Sequence, residues 1–369
     1  MDNSPKNDNS HTTVQILDYQ IIETIYSGSR TLVDRAIRKS DQLSVIIKRL
    51  KNDYPTFSEL VQFCNQYAIN KHLKSPLIIE TYSLEVYQNG YVLVMEDFGG
   101  MSLEEWVVKG KNVLSLIEFL QIAITLCNTL NILYRERIIH KDIKPSNILI
   151  NPETKQIKLI DFSIASLLPR ETQILLNPKV LEGTLTYISP EQTGRMNRGV
   201  DYRTDFYSLG ITFYKLLTKK LPFQSNDPME LVHCHIAKVP PLVHEINSKI
   251  PHVLSEIVNK LMAKNAENRY QSALGLKYDL ENCLTQIQET GKIETFEIGR
   301  RDLCDRFLIP EKLYGRELEV TQLLAAFERI STGNTEIMLV AGFSGIGKTA
   351  LINEVHKPIV RQRGYFIKG

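Results

Sequence analysis

The stretch that most constrains this chain is the octapeptide HKDIKPSN at residues 140–147. It places an aspartate, a lysine and an asparagine (Asp142, Lys144 and Asn147) within one short loop. The apolar run 148–150 follows directly and predicts a buried strand that fixes the loop. A polar turn between a helix and a strand has a similar composition, so segments elsewhere in the chain decide between a turn and a site.

The octapeptide resembles the catalytic loop of protein kinases in its Ser/Thr form. This resemblance implies that Asp142 accepts the proton of the substrate hydroxyl, Lys144 places a cation near the moving phosphoryl group, and Asn147 binds Mg²⁺. Eight residues then hold three roles around a single phosphate. The implied architecture is an α+β two-lobed protein-kinase fold, with a small β-rich lobe and a large helical lobe.

Composition excludes several other classes of protein. The 369 residues are 43% apolar and 23% charged, as in ordinary globular proteins, and the net charge is +2. That charge gives no broad electrostatic footprint for nucleic acid, so no nucleic-acid partner is expected. The five cysteines are scattered and odd in number, which favours reduced thiols in a cytosol over a disulfide framework.

The N-terminus and the apolar runs carry no targeting signal. Residues 1–13 are rich in Asn, Asp and Ser, which predicts a disordered tail rather than a signal peptide. The nearest candidate for a membrane span, residues 114–133, is interrupted by Glu118, Gln121, Asn128 and Asn131. We therefore expect a cytoplasmic protein without a membrane span.

A nucleotide site of the small lobe is predicted from a hairpin and a strand. Two strands, 19–26 and 31–38, flank the turn Ser-Gly-Ser-Arg at 27–30. The hairpin resembles the Gly-rich loop that covers ATP phosphates, with only Gly28 and Val33 matching the pattern. The β-rich segment 44–48 ends in Lys48, which the resemblance makes the lysine that holds the α- and β-phosphates.

The helix predicted at 57–73 departs from the kinase pattern. The family pairs the strand lysine with a glutamate on this helix, and alignment places that position at Gln66. A glutamine is able to hydrogen-bond the lysine but supplies no charge. Glu59 lies two turns earlier on the same face and is an alternative source of that charge.

The segments around the hinge and the magnesium site follow in the expected order. The strand 91–96 resembles the last strand of the small lobe, which implies that Met95 lines the adenine pocket and that backbone groups near Glu96 and Phe98 bind the adenine edge. A helix is predicted over 113–134 from an apolar stripe at steps of three and four. Asp161 begins Asp-Phe-Ser, which resembles the kinase D-F-G with serine third and implies a second Mg²⁺ ligand.

Further matches in the large lobe are structural by resemblance. Thr184 corresponds to the activation-segment threonine that contacts the catalytic aspartate and lysine. Glu191 and Arg269 correspond to a family ion pair. Asp205, at the start of a predicted helix, corresponds to the residue that braces the catalytic loop.

A second nucleotide motif lies near the end of the chain. Residues 337–341 predict a buried strand that leads into GFSGIGKT at 342–349, a P-loop in its strand-to-helix context. In such a loop the backbone cradles phosphate, the lysine reaches the β- and γ-phosphates, and the threonine binds Mg²⁺. The residues concerned are Gly342, Gly345, Gly347, Lys348 and Thr349.

Together these motifs predict four segments: the tail, a kinase domain at 14–284, a linker at 285–310, and an incomplete α/β P-loop NTPase start of AAA/STAND-like type at 311–369. This order resembles the front of large bacterial signalling proteins that join a Ser/Thr kinase, such an ATPase and often a sensor histidine kinase. It implies ATP and Mg²⁺ as cofactors, a protein Ser/Thr substrate, and coupling to downstream domains in full-length relatives. A weakly active or inactive nucleotide-sensing module is the alternative, favoured by the eroded Gly-rich loop, Gln66 and Ser163.

Overall fold

We describe the fold from a computed structural model of the chain. The structure describes residues 16, 18–109, 114–167, 170–171, 185–196, 198–303, 315–331, 333, 335–343 and 346–353. Within these, the chain divides into two compact units. The first holds residues up to Gly100 together with Asn151–Ile164, and the second holds Met101–Ile150 together with the chain from Ala165 onward.

The strands lie mostly in the first unit. In chain order they are β1 (Tyr19–Ser27), β2 (Thr31–Arg38), β3 (Ser44–Leu50), β4 (Thr81–Tyr87), β5 (Gly90–Glu96), β6 (Met101–Ser102), β7 (Ile148–Ile150), β8 (Ile157–Leu159), β9 (Arg170–Glu171) and β10 (Val200–Asp201).

The helices lie mostly in the second unit. They are α1 (Phe57–Asn70), α2 (Leu116–Arg135), α3 (Arg203–Thr218), α4 (Pro228–Ala237), α5 (Val243–Ile246), α6 (His252–Leu261), α7 (Ala273–Thr290), α8 (Glu317–Ser331) and α9 (Lys348–Asn353). A β-rich unit and a helical unit confirm the predicted fold class.

The first unit is built on an antiparallel sheet of five strands in the order β1-β2-β3-β5-β4. The alternation of β3 turns Val45 and Ile47 into the core, where both are fully buried with Ala36. Helix α1 begins with a capping box, in which Thr56 and Glu59 satisfy each other's backbone donors. Its buried face packs against β4 and β5, so α1 covers the sheet that carries Lys48 on β3.

The second unit is organised around two long helices. Helix α2 starts at the capping box of Ser115 and Glu118, and its apolar stripe packs against α3 and α7. Nearly every side chain of α3 is buried. Among the described residues, α2 alone is long and apolar enough to cross a membrane, and half of its apolar window is buried inside the protein. A core helix of a globular unit has these same properties.

The segment predicted as a linker, 285–310, begins inside a helix, and Asp302 within it contacts the residues just before that helix. Helix α7 runs on to Thr290, and Gly291 ends it in the left-handed conformation that favours glycine. Farther on, the Asp302 carboxylate accepts hydrogen bonds from the backbone N–H groups of Gln271 and Ser272, at 2.8 Å each. A Cβ at Gly275 would stand 2.5 Å from the Cα of Asp302, so this approach requires glycine.

The strand predicted at 337–341 is wrong in the structure. Residues 335–343 have no regular secondary structure, and Ile337 and Leu339 are each 92% exposed. A buried parallel strand needs neighbouring strands to pair its backbone and helices to cover its faces. The described part of the chain supplies no paired strand beside 337–341. Before this segment, residues Glu317–Ser331 form helix α8.

Candidate active site

Lys48 stands at the centre of the first unit's candidate site. Its Cα pairs with Val33 on β2 and with Leu93 on β5, so the sheet holds it from both sides. The Lys48 ammonium lies 2.9 Å from Asp161 Oδ1 and 2.9 Å from Gln66 Oε1. The lysine therefore reaches a residue 113 positions later in the chain, and its side chain is only 12% exposed.

Gln66 occupies the position where the family pattern has glutamate. Its side chain is buried, with the amide oxygen on Lys48 and the amide nitrogen 3.7 Å from the sulfur of Met95. Glu59, the alternative partner from the sequence, instead accepts hydrogen bonds at 2.8 Å from the backbone N–H and the hydroxyl of Thr56. Helix α1 thus meets Lys48 through a neutral amide, while the Glu59 carboxylate is used as a cap.

Asp161 follows β8 in an unusual backbone conformation. Its φ is +66°, in the left-handed region that costs a non-glycine residue free energy. The next side chain, Phe162, is fully buried and anchors the turn. The Asn65 amide of α1 lies 3.0 Å from the carbonyl of Ser163 and 3.3 Å from that of Phe162. Neighbouring structure therefore fixes a conformation that the local sequence would not choose.

The remaining predicted nucleotide residues of this unit lie on the hairpin and on β5. The Tyr26 ring lies over the turn, where a Cβ at Gly28 would stand 2.8 Å from it. On β5, Met95 is buried behind Gln66, and Glu96 binds the ammonium of Lys158. The carbonyl of Phe98 accepts a hydrogen bond of 3.1 Å from the Asn151 amide.

In the second unit, the octapeptide 140–147 brings its three polar side chains together. The Asp142 carboxylate oxygen Oδ2 lies 2.6 Å from the Lys144 ammonium and 2.9 Å from the Asn147 amide nitrogen. That amide nitrogen also donates to the backbone carbonyl of Asp142. Both bonds use the amide nitrogen, so the amide oxygen is the atom of Asn147 that could bind a metal.

Asp205 braces this loop from the start of α3. Its carboxylate accepts hydrogen bonds of 2.8 Å from the backbone N–H groups of both His140 and Lys141. Burial raises the pKa of Asp205 to about 7, although the two N–H groups act in the opposite direction. Because the Asp205 carboxylate binds two successive peptide N–H groups, it fixes the orientation of the backbone at the start of the loop.

Gln192 is a contact of the catalytic loop that sequence reasoning missed. Its amide nitrogen donates to the Lys141 carbonyl at 2.9 Å, and its amide oxygen accepts from the backbone N–H of Ser189 at 3.0 Å. Lys141 has a φ of +67° and is held at both its N–H and its carbonyl. No local pattern indicates this bond, because 51 residues separate its partners.

A buried ion pair anchors the segment that contains Gln192. The Arg269 guanidinium meets the Glu191 carboxylate with two hydrogen bonds of 2.6 and 2.8 Å, and both side chains are almost fully buried. Burial opposes ionisation of Glu191, but the charge of Arg269 and the hydrogen bonds from Arg269 and Thr204 together outweigh it and lower the pKa of that carboxyl. Thr184, the predicted activation-segment residue, lies outside the described residues.

The P-loop residues near the end of the chain are arranged locally. The Lys348 ammonium donates to the carbonyls of Gly342 and Phe343 at 2.7 Å each. Gly347 has a φ of +93°, which favours glycine, and Lys348 and Thr349 begin α9. Gly345 lies outside the described residues. In this arrangement the lysine folds back onto the loop's own backbone.

The donor sets in the two units suit magnesium. Mg²⁺ prefers oxygen ligands and commonly takes one or two from a protein beside phosphate oxygens. Asp161 in the first unit presents a carboxylate that is 30% exposed, and Asn147 in the second unit presents an amide oxygen. The chemistry of both groups therefore fits the metal that the kinase resemblance implies.

A five-stranded sheet carrying a lysine paired with Asp161, and a helical unit carrying the Asp142 loop, define the phosphotransferase class of the protein kinases. The family model for the protein kinase domain matches residues 19–279. The chain therefore belongs to the protein kinase family. A second model, the AAA ATPase domain, matches residues 312–369.

Several known protein sequences are similar to this chain. The hybrid signal transduction histidine kinase G of Dictyostelium discoideum is 34% identical, over 65% of this chain and 10% of its own length. A probable serine/threonine-protein kinase of Clostridium perfringens is 30% identical, over 71% of this chain and 38% of its own. The serine/threonine-protein kinase PrkC of Bacillus subtilis is 30% identical, over 72% and 40%. The chain thus spans less than half the length of these relatives.

Proposed function

We propose that this chain transfers the γ-phosphoryl group of ATP to a Ser or Thr hydroxyl of a protein substrate. The observation that carries the proposal is the Asp142 loop, where a carboxylate, an ammonium and an amide converge within 2.9 Å and the backbone is braced by Asp205. The similarity to bacterial Ser/Thr kinases supports the same reaction.

In this proposal each residue has a definite task. Asp142 accepts the proton of the substrate hydroxyl, and Lys144 holds positive charge beside the transferred group. Lys48 gives up its contact with Asp161 and binds the phosphates. The Asp161 carboxylate and the Asn147 amide oxygen are the groups that would hold Mg²⁺. Bound Mg²⁺ would neutralise charge that develops on the phosphate oxygens. Val33, Met95 and the backbone near Glu96 and Phe98 line the adenine side.

The test is transfer of labelled phosphate from ATP, with Mg²⁺, to a generic Ser/Thr protein substrate. The parent is the chain with Lys348→Ala, so that the P-loop does not contribute, and the variant adds Asp142→Ala. We expect a loss of roughly 10²–10⁴-fold in rate, the usual cost of removing a positioned base. Near-normal turnover would refute the role of Asp142. No transfer by either chain, with ATP still bound, would support the nucleotide-sensing module instead.

We also propose the wider setting of the domain. Residues 14–284 form the core of the kinase domain, and the contacts of Asp302 favour an extension of that domain toward residue 303. We propose a cytoplasmic location, and the burial of half of the apolar window of α2 supports this in that it favours a core helix over a membrane span there. The P-loop residues 342–349 and the AAA match support coupling of the kinase to an ATPase.

A further inference from the structure

The neutral contact between α1 and Lys48 raises the question of what else holds this helix to the active site. A charged partner makes hydrogen bonds roughly twice as strong as a neutral one. Gln66 gives Lys48 a single neutral acceptor at 2.9 Å. Among the described residues, the only carboxylate bonded to Lys48 is that of Asp161. The proposed function assigns this same carboxylate to the metal. Some other contact has to keep that group in place when Lys48 turns to the phosphates.

Asn65, the residue before Gln66, supplies such a contact. Successive residues of a helix point about 100° apart, so these two amides face different neighbours. Gln66 faces the sheet, where it meets Lys48 and Met95. Asn65 faces the turn after β8, where both protons of its amide have acceptors, the carbonyls of Phe162 and Ser163.

The turn that Asn65 holds is the one that aims Asp161. The left-handed φ of Asp161 persists only where its surroundings over-determine it. Phe162 is anchored by burial, and the Asp161 carboxylate is held by Lys48. The two carbonyls that follow Asp161 are held by Asn65. Of these three restraints, the bond to Lys48 is the one that a bound triphosphate would break.

We propose that Asn65 is a positioning residue for the metal ligand Asp161, and that it takes over the tethering of α1 which a glutamate at position 66 would otherwise provide. The proposal rests on the kinase function argued above. Asn65 touches neither metal nor nucleotide. It acts through the backbone of the Asp-Phe-Ser turn, so its removal affects binding that depends on Mg²⁺ more than binding of the nucleotide itself.

The experiment measures ATP affinity by calorimetry, with and without Mg²⁺, in the chain carrying Lys348→Ala. The variants add Asn65→Asp, which keeps the shape but turns both donors into a carboxylate facing two carbonyls, or Asn65→Ala, which removes them. The matched control is Asn89→Asp, because Asn89 lies in the same unit and donates to the Asp53 carbonyl at 2.9 Å. Circular dichroism verifies that each variant is folded.

We expect Asn65→Asp to weaken the affinity for Mg²⁺·ATP by roughly tenfold, and Asn65→Ala by about threefold, from the loss of one or two hydrogen bonds. Affinity for ATP without Mg²⁺ should stay within about twofold, since Lys48 still holds the phosphates. If Asn65→Asp fails to fold, the smaller selective loss in Asn65→Ala carries the test. The Mg²⁺ concentration for half-maximal transfer should rise in the same order.

Two results would overturn the proposal. Equal weakening with and without Mg²⁺ would show a merely structural role, and affinities matching the Asn89→Asp control would show no role at all. Calorimetry measures binding and needs no phosphate transfer. A parent chain that binds ATP but transfers no phosphate would therefore refute the proposed kinase activity, and the Asn65 variants could still be compared by their ATP affinities.

Discussion

The two lysines that the sequence predicts to bind phosphate lie in contrasting environments. Lys48 is 12% exposed and binds side chains that are 18 and 113 residues away in the sequence. Among the described residues, Lys348 binds carbonyls five and six residues before it, beside a segment with exposed apolar side chains. The comparison teaches that intact residue types in a motif do not by themselves specify the contacts of a lysine, because the contacts of Lys48 depend on long-range packing.

The largest expected effect compares a buried ion pair with an exposed one. Arg269→Ala should lower the free energy of unfolding by roughly 3–5 kcal/mol, because Glu191 is left as a buried and uncompensated charge. Arg329→Ala removes an ion pair with Glu336 in which the arginine side chain is 55% exposed. It should lower the free energy of unfolding by about 0–1 kcal/mol. Urea unfolding followed by circular dichroism measures both. Equal costs would mean that the two regions do not differ in packing as described.

A smaller effect compares apolar side chains in the two regions. Ile47→Ala should cost about 2–5 kcal/mol, since Ile47 is fully buried in the sheet and its truncation leaves a cavity. Ile337→Ala should change the free energy of unfolding by no more than about 0.5 kcal/mol, since that side chain is 92% exposed. The same unfolding experiment applies. A cost of several kcal/mol at Ile337 would show that 335–343 is packed in solution.

The smallest expected effect is a pH dependence of the free energy of unfolding, which arises where a lysine is buried. Burial, together with the charge of Arg269, lowers the pKa of Lys264 to about 7 from an unfolded value of about 10.5. Between these values the unfolded chain binds more protons than the folded one, so the free energy of unfolding rises with pH.

Lys264→Met should remove this contribution, which is at most about 1.4 kcal/mol per pH unit. The measurement is unfolding free energy between pH 7 and 9, taken as the difference from the parent chain. The exposed Lys220, changed to Met, serves as the control and should leave the slope unaltered. An identical slope in the Lys264 variant would mean that this lysine is not buried as described.

Much of the fold was predictable where the pattern is local. The segments on either side of the hairpin turn and the β-rich segment 44–48 predicted β1, β2 and β3, and the apolar stripe predicted α2. Alignment to the kinase family placed Gln66 opposite Lys48. The roles of Gln192 and Asn65 were not predictable, because each bonds backbone atoms that are 51 or more residues away. The strand at 337–341 was wrong for a related reason, since an apolar run forms a strand only where neighbours pair with it.

The sequence alone determined which chemical groups are available. The Asp142 loop carries its carboxylate, ammonium and amide within eight residues. Lys48 before the loop and Asp161 after it match the kinase pattern, and Gln66 stands where that pattern has glutamate. Only the tertiary structure decided how these groups are held: the left-handed backbones of Lys141 and Asp161, the Asp205 brace, and the neutral tether of α1. The physical reason is that strained backbone and buried charge are stable only when distant parts of the chain supply the compensating hydrogen bonds.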